Sequence, residues 1–147
     1  MGILENKIAI ITGSGRGIGE ATAKKYSEEG ATVIIADSNK EFGEKVAKSI
    51  NSFFVEVDIS KDKSVNALFD YVKEKYSRLD ILVNNAAVLD DGTLEKMKSD
   101  QFDFIINVNL RGTYLCGRAA AKIMINQGNG VILNAASVVA HNGNFGQ

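Results

Sequence analysis

An α/β fold built on a doubly wound parallel sheet is what this sequence predicts, and three observations predict it. Short β-branched runs alternate with stretches of helical period along the whole chain, as the strands and crossover helices of a parallel sheet do. The first run opens directly into a glycine-rich turn, Gly13 to Gly19. The second is followed at once by an acidic residue, Asp37, at the place where dinucleotide-binding sheets carry one.

Each element has its own reason. Lys7 to Thr12 is the first strand, and the small residues from Gly17 onward open a helix to Glu29. Ala31 to Ala36 is the second strand; Ser38 with Glu41 three residues later reads as a capping box for a helix whose Phe42, Val46 and Ile50 share a face. Ser52 to Val57 is the third strand. Val65, Leu68, Phe69, Val72 and Tyr76 then form one apolar stripe with a charged back. Asp80 to Ala87 supplies the fourth strand. Phe102, Ile105, Ile106, Leu110 and Tyr114, continued by Gly117 and Ala121, mark the apolar face of a long helix, and Gly130 to Ser137 carries the fifth strand.

The 147 residues are read as a single domain, 1–147, of a size that buries roughly 70% of the surface its unfolded chain exposes. With 45% hydrophobic and 24% charged residues and a net charge of -1, neither nucleic-acid nor membrane-surface binding through bulk charge is expected. No apolar run is long enough to cross a bilayer. A lone cysteine, Cys116, excludes an intrachain disulfide and suits a reducing cytoplasm; one histidine, His141, leaves no cluster with zinc-ligand spacing. The chain has no proline, where average usage predicts about seven, so a proline-bearing part of a longer parent is expected elsewhere.

The glycine turn follows a strand and opens a helix, the context in which such a turn cradles a pyrophosphate on backbone amides at the positive end of a helix dipole. That makes the expected sheet a Rossmann sheet with strand order 3-2-1-4-5 and the nucleotide at the switch point between strands one and four. A Walker loop is excluded, since no Gly-Lys-Ser/Thr follows. Gly13, Gly17 and Gly19 form Thr-Gly-x-x-x-Gly-x-Gly, and here the chain resembles the short-chain dehydrogenase/reductase family. Asn84 to Ala87 is similar to that family's Asn-Asn-Ala-Gly element, with Ala87 in place of glycine. Val108 to Gly112 resembles the segment bearing a catalytic asparagine, and Ser137 follows the fifth strand where the family has its catalytic serine.

The resemblance implies an oxidoreductase that moves a hydride between a nicotinamide cofactor and a ketone, 3-oxoacyl thioester or secondary alcohol. It implies cofactor contacts from Gly13, Ser14, Arg16, Gly17, Ile18 and Gly19, from Asp58 and Ile59 after the third strand, and from Asn85, Ala86 and Ala87. Asp37 can accept both adenosine ribose hydroxyls and repel a 2′-phosphate, which favours NAD; Arg16 could pair with that phosphate, which keeps NADP as the lesser alternative. Ser137 and Asn109 are the expected catalytic residues present. The family's Tyr-x-x-x-Lys pair is absent, Tyr71 and Lys75 lying on an outer helix, and is expected about three residues beyond Gln147, together with the remaining strands. Residues 141–147, "HNGNFGQ", resemble the loop before that tyrosine in 3-oxoacyl-[acyl-carrier-protein] reductases. A cytoplasmic homotetramer is the expected parent. A non-catalytic NAD-binding half-domain is the alternative, while an extended-group epimerase would carry Thr-Gly-x-x-Gly-x-x-Gly, which the sequence lacks.

Overall fold

The computed structural model describes residues 2–147. Five strands, β1 (Ile8–Thr12), β2 (Thr32–Asp37), β3 (Phe53–Glu56), β4 (Ile81–Asn84) and β5 (Val131–Asn134), form one sheet in the order β3-β2-β1-β4-β5, with every pairing parallel. The predicted order therefore holds. Central β1 is buried along its whole length, and this explains why it reads as a continuous apolar run: helices cover both faces of a central strand.

Successive residues of β1 and β2 feed two separate cores. Ile8, Ile10, Ile34 and Ala36 point to one face, under α3 (Asp62–Tyr76) and α5 (Thr113–Gln127). Ile11, Val33 and Ile35 point to the other, under α1 (Gly17–Glu28) and α2 (Lys40–Ser49). In α3 the stripe Val65, Leu68, Phe69 and Val72 is buried as its spacing predicts.

Two local expectations are corrected. The cap of α2 is Asn39, whose side chain accepts the Phe42 amide at 3.0 Å, and not Ser38; Asp37 Oδ1 accepts the Asn39 amide at 2.9 Å and turns that residue into the capping position. The long helix is also not one α-helix. It runs as α4 (Ser99–Ile105), a π-helical segment Ile106–Gly112, and α5. The wider turns rotate its register, so Phe102, Leu110 and Tyr114 lie half or more exposed while Leu115, Cys116, Ala120 and Met124 face the core.

The amino ends of three strands meet at Asp80, which is 4% exposed. Its Oδ2 accepts the Ile8 amide at 2.9 Å and Arg78 Nε at 3.0 Å. Its own amide donates to the Ile8 carbonyl and its carbonyl accepts the Val131 amide. Burial pushes this carboxyl up, but the Arg78 guanidinium, the Ile8 amide and the charge of Lys7 outweigh it and hold the group below its ordinary value. A depressed folded pKa means stability that is present above the unfolded value and lost as pH falls through the folded one. Asp80→Asn is expected to cost about 2 kcal/mol near neutral pH, and urea unfolding should show the gap between wild type and variant closing as the solution is acidified below the ordinary carboxylate range.

Candidate active site

The carboxyl edge of the sheet is organised by Thr12, the last residue of β1, which is fully buried. Its hydroxyl oxygen donates to the Val83 carbonyl and accepts the amides of Asn85 and Ala86, both at 3.1 Å. Asn85 returns the contact: its Nδ2 donates to the carbonyls of Thr12 and Gly13. The turns after β1 and β4 are thereby held so close that a Cβ on Gly13 would stand 2.7 Å from the Ala86 Cα, and Gly13 also has a φ of +64°. Only glycine meets both conditions. Gly19 lies buried under the turn, where a side chain would overlap the Gly13 carbonyl.

The turn is bound to β2 as well. Ser14 donates from its hydroxyl to the Ile11 carbonyl at 2.7 Å and accepts the Ala36 amide at 3.0 Å. It is fully buried. Its side chain therefore seals the turn against β2 and does not line the groove. The Gly15 amide donates to Asp37 Oδ2 at 2.8 Å, and a Cβ on Gly15 would lie 2.9 Å from that oxygen. Gly15 was invisible to the three-glycine pattern, yet it is what lets the carboxylate approach the turn.

Between these turns opens a groove of about 580 Å³. Gly13, Arg16, Gly17 and Ile18 form its floor at the start of α1, with Asp37 at the end of β2. Asp58 and Ile59 come from beyond β3, and Asn85, Ala86 and Ala87 from beyond β4. Phe104, unmarked by any motif, and Val108, the first residue of the asparagine segment, wall it from the long helix. The first amides of α1 have no carbonyl one turn earlier and lie at the helix's positive end. Burial pushes the Asp58 carboxyl up, but the Lys61 ammonium, 2.7 Å away, and the hydroxyl and amide of Ser60 hold it below its ordinary value.

Val88 separates this groove from a second cavity of about 720 Å³, which Asn109 and Ser137 both line. Asn109 sits in the π-helical segment and clamps the loop after β4: its Oδ1 accepts the Val88 amide at 2.8 Å and its Nδ2 donates to the Val88 carbonyl at 2.9 Å. Ser137 is placed by the ends of β4 and β5, where Asn84 Nδ2 donates to Asn134 Oδ1 at 2.9 Å and the Ala135 amide donates to the Asn84 carbonyl. Its Oγ accepts the Val139 amide at 3.3 Å, at the start of the short helix α6 (Val139–Asn142), and the residue stays exposed. His141 is exposed on α6 and lines neither cavity.

Among the described residues no tyrosine lines either cavity. Lys75 Nζ does donate to the Tyr71 hydroxyl at 3.0 Å, but the pair sits on α3 with the ammonium over the Phe53 ring of edge strand β3. Cys116 is fully buried, which pushes its thiol up to about 12 and leaves it inert.

The short chain dehydrogenase family model matches residues 7–147. The chain belongs to the short-chain dehydrogenase family. It is 39% identical to a 3-oxoacyl-[acyl-carrier-protein] reductase of Thermotoga maritima, over 98% of this chain and 61% of that protein. It is 38% identical to a 3alpha-hydroxysteroid dehydrogenase of Mediterraneibacter gnavus, over 94% of this chain and 58% of the relative. The crystal structure of a 3-ketoacyl-(acyl-carrier-protein) reductase from Brucella melitensis complexed with NADH superposes with a TM-score of 0.93 at 38% identity, covering 97% of this chain and 62% of that one. This short-chain dehydrogenase chain thus spans roughly three fifths of the length of such relatives.

Thr12→Val keeps the shape of the side chain and strands the amides of Asn85 and Ala86. A loss of about 2–3 kcal/mol in unfolding free energy is expected, with most of it restored by Thr12→Ser; urea denaturation of the three proteins measures both.

Proposed function

We propose that this chain is the nucleotide-binding and substrate-polarising part of an NAD-preferring oxidoreductase acting on a ketone, a 3-oxoacyl thioester or a secondary alcohol. The observation that carries the reading is the Asp37 carboxylate, fixed by the Gly15 and Asn39 amides beside the glycine turn. Each of its oxygens accepts one backbone amide and keeps lone-pair capacity for a ribose hydroxyl. A 2′-phosphate in the same place would meet a like charge, and Arg16, exposed at the mouth of the turn, returns only about 0–1 kcal/mol as a solvated partner. The groove fits a dinucleotide on its own chemistry: the close approach at Gly13 and the free amides of α1 suit a pyrophosphate. The NADH in the Brucella melitensis relative supports the same assignment.

When bound, the nicotinamide gives or takes the hydride. The chain's own residues do the rest. Ser137, exposed in the second cavity, offers a hydroxyl to the substrate oxygen as negative charge develops there. Asn109 acts as a positioning residue: by clamping Val88 it fixes the wall between nicotinamide and substrate, and its second Nδ2 hydrogen stays available for a water. Proton delivery falls to a tyrosine outside these 147 residues.

NAD is expected to bind more tightly than NADP, and Asp37→Asn to narrow the difference by about tenfold; titrating both cofactors into both proteins decides it, equal affinities in the wild type refuting the assignment. The 147-residue chain is further expected to bind NADH without oxidising it in the presence of any ketone, followed by NADH absorbance. Turnover above background would place the proton donor within this chain.

A further inference from the structure

The cavity beyond Val88 differs in chemistry from the groove it adjoins. Its walls come from the loop after β4 and from α4, and they hold large apolar side chains in the open: Leu89 is 79% exposed, Leu94 96% and Phe102 52%. None of the three belongs to either core of the described residues. Val88, Met97, Ile105, Ile106 and Val139 complete the apolar lining. The volume, about 720 Å³, is that of a small-molecule site.

We propose that this cavity receives the apolar, uncharged body of the carbonyl or alcohol substrate, and that Asp90 and Asp91 make it select against anionic substrates. The proposal rests on the functional reading above. Its orientation follows from position, because Val88 is common to both cavities and Ser137 is one of the few polar groups at the apolar wall. A substrate with its oxygen at Ser137 has its carbon skeleton among Leu89, Leu94, Met97 and Phe102. The charges among the described lining residues are Asp90 and Asp91. Each accepts a hydrogen bond from a neutral amide and not from a cation: Gln101 Nε2 donates to Asp90 Oδ1 and Gln147 Nε2 to Asp91 Oδ2, both at 2.8 Å. Neither Lys96 nor Lys98 lines this cavity, Lys98 sharing a separate shallow dent with Asp90 and Asp100 on its outer side. A carboxylate or phosphate on the substrate enters against two like charges with no compensating cation on the wall.

Met97 lies in this cavity and Met124 in the core, so methionine methyl resonances report on the cavity with an internal control. The full chain, saturated with NADH, is titrated with phenylcyclohexanone and with its para-carboxylate, a matched pair differing by one charge. The Met97 methyl is expected to shift saturably with the neutral ketone while Met124 stays fixed, and the carboxylate to require about tenfold more ligand. Asp90→Asn and Asp91→Asn each keep an acceptor for their glutamine partners; each is expected to remove part of that ratio and the double variant most of it. Equal response to both ketones in the wild type overturns the proposal. So does a Met97 shift that tracks protein concentration instead of ketone, which would mean a second copy fills the cavity. Silence at Met97 while NADH still binds, read by NADH fluorescence in the same samples, overturns it and leaves the nucleotide assignment intact. A Met97 response without NADH binding supports the cavity's preference and removes the functional reading.

Discussion

The Thr12 hydroxyl is the contact on which the carboxyl edge of this molecule depends. A parallel sheet wound in both directions splits at its middle, because the chain leaves β1 towards one face and β4 towards the other. Left to themselves, the two turns would diverge and expose strand ends to water. One buried oxygen that donates to Val83 and accepts from Asn85 and Ala86 keeps them in contact at the split. Much of what is proposed to meet a cofactor hangs from that junction: the glycine turn on one side, Asn85 to Ala87 on the other, and Val88 as the partition leading to Ser137.

The two edges of the sheet divide the labour. At the amino edge, Asp80 joins β1, β4 and β5 through a charged group whose bonds are all internal. At the carboxyl edge, Ser14 and Thr12 spend their hydroxyls on the backbone, and the groups left available are half-buried Asp37, exposed Arg16 and Ser137, and the first amides of α1. Rigid joints beneath free functional groups are what pre-organisation requires, since a donor that must first be immobilised loses part of its benefit.

Much of this was legible in the sequence, for identifiable reasons. Strands and helices differ in period, so β1 and the stripe Val65, Leu68, Phe69 and Val72 declared themselves, and the glycine turn named the edge at which a nucleotide groove would open. Spacing cannot tell which way a short polar side chain turns. Ser14 sits among groove residues in the chain yet faces inward, and Gly15, one residue on, makes the close approach to Asp37. Periodicity also assumes a constant number of residues per turn, and the segment Ile106–Gly112 breaks that assumption, placing Leu115, Cys116, Ala120 and Met124 inside where Leu110 and Tyr114 were expected. The apolar cavity left no trace at all: its walls join a loop without period to a helix some ten residues later, and no pattern links them before the chain folds.

The wide turns of Ile106–Gly112 have a consequence for how such a molecule can change over generations. An α-helix turns about 100° per residue, so removing one residue within that segment would swing Ser99–Ile105 by roughly that angle against a stationary α5. Phe102 and Phe104 would leave their respective cavities together, while the packing of Leu115, Cys116, Ala120 and Met124 stayed as it was. The segment is thus a swivel in the gene as much as a feature of the backbone: a one-codon deletion or insertion there re-aims the walls of both cavities, at the cost of the contacts that Val108 and Gly112 make with the core.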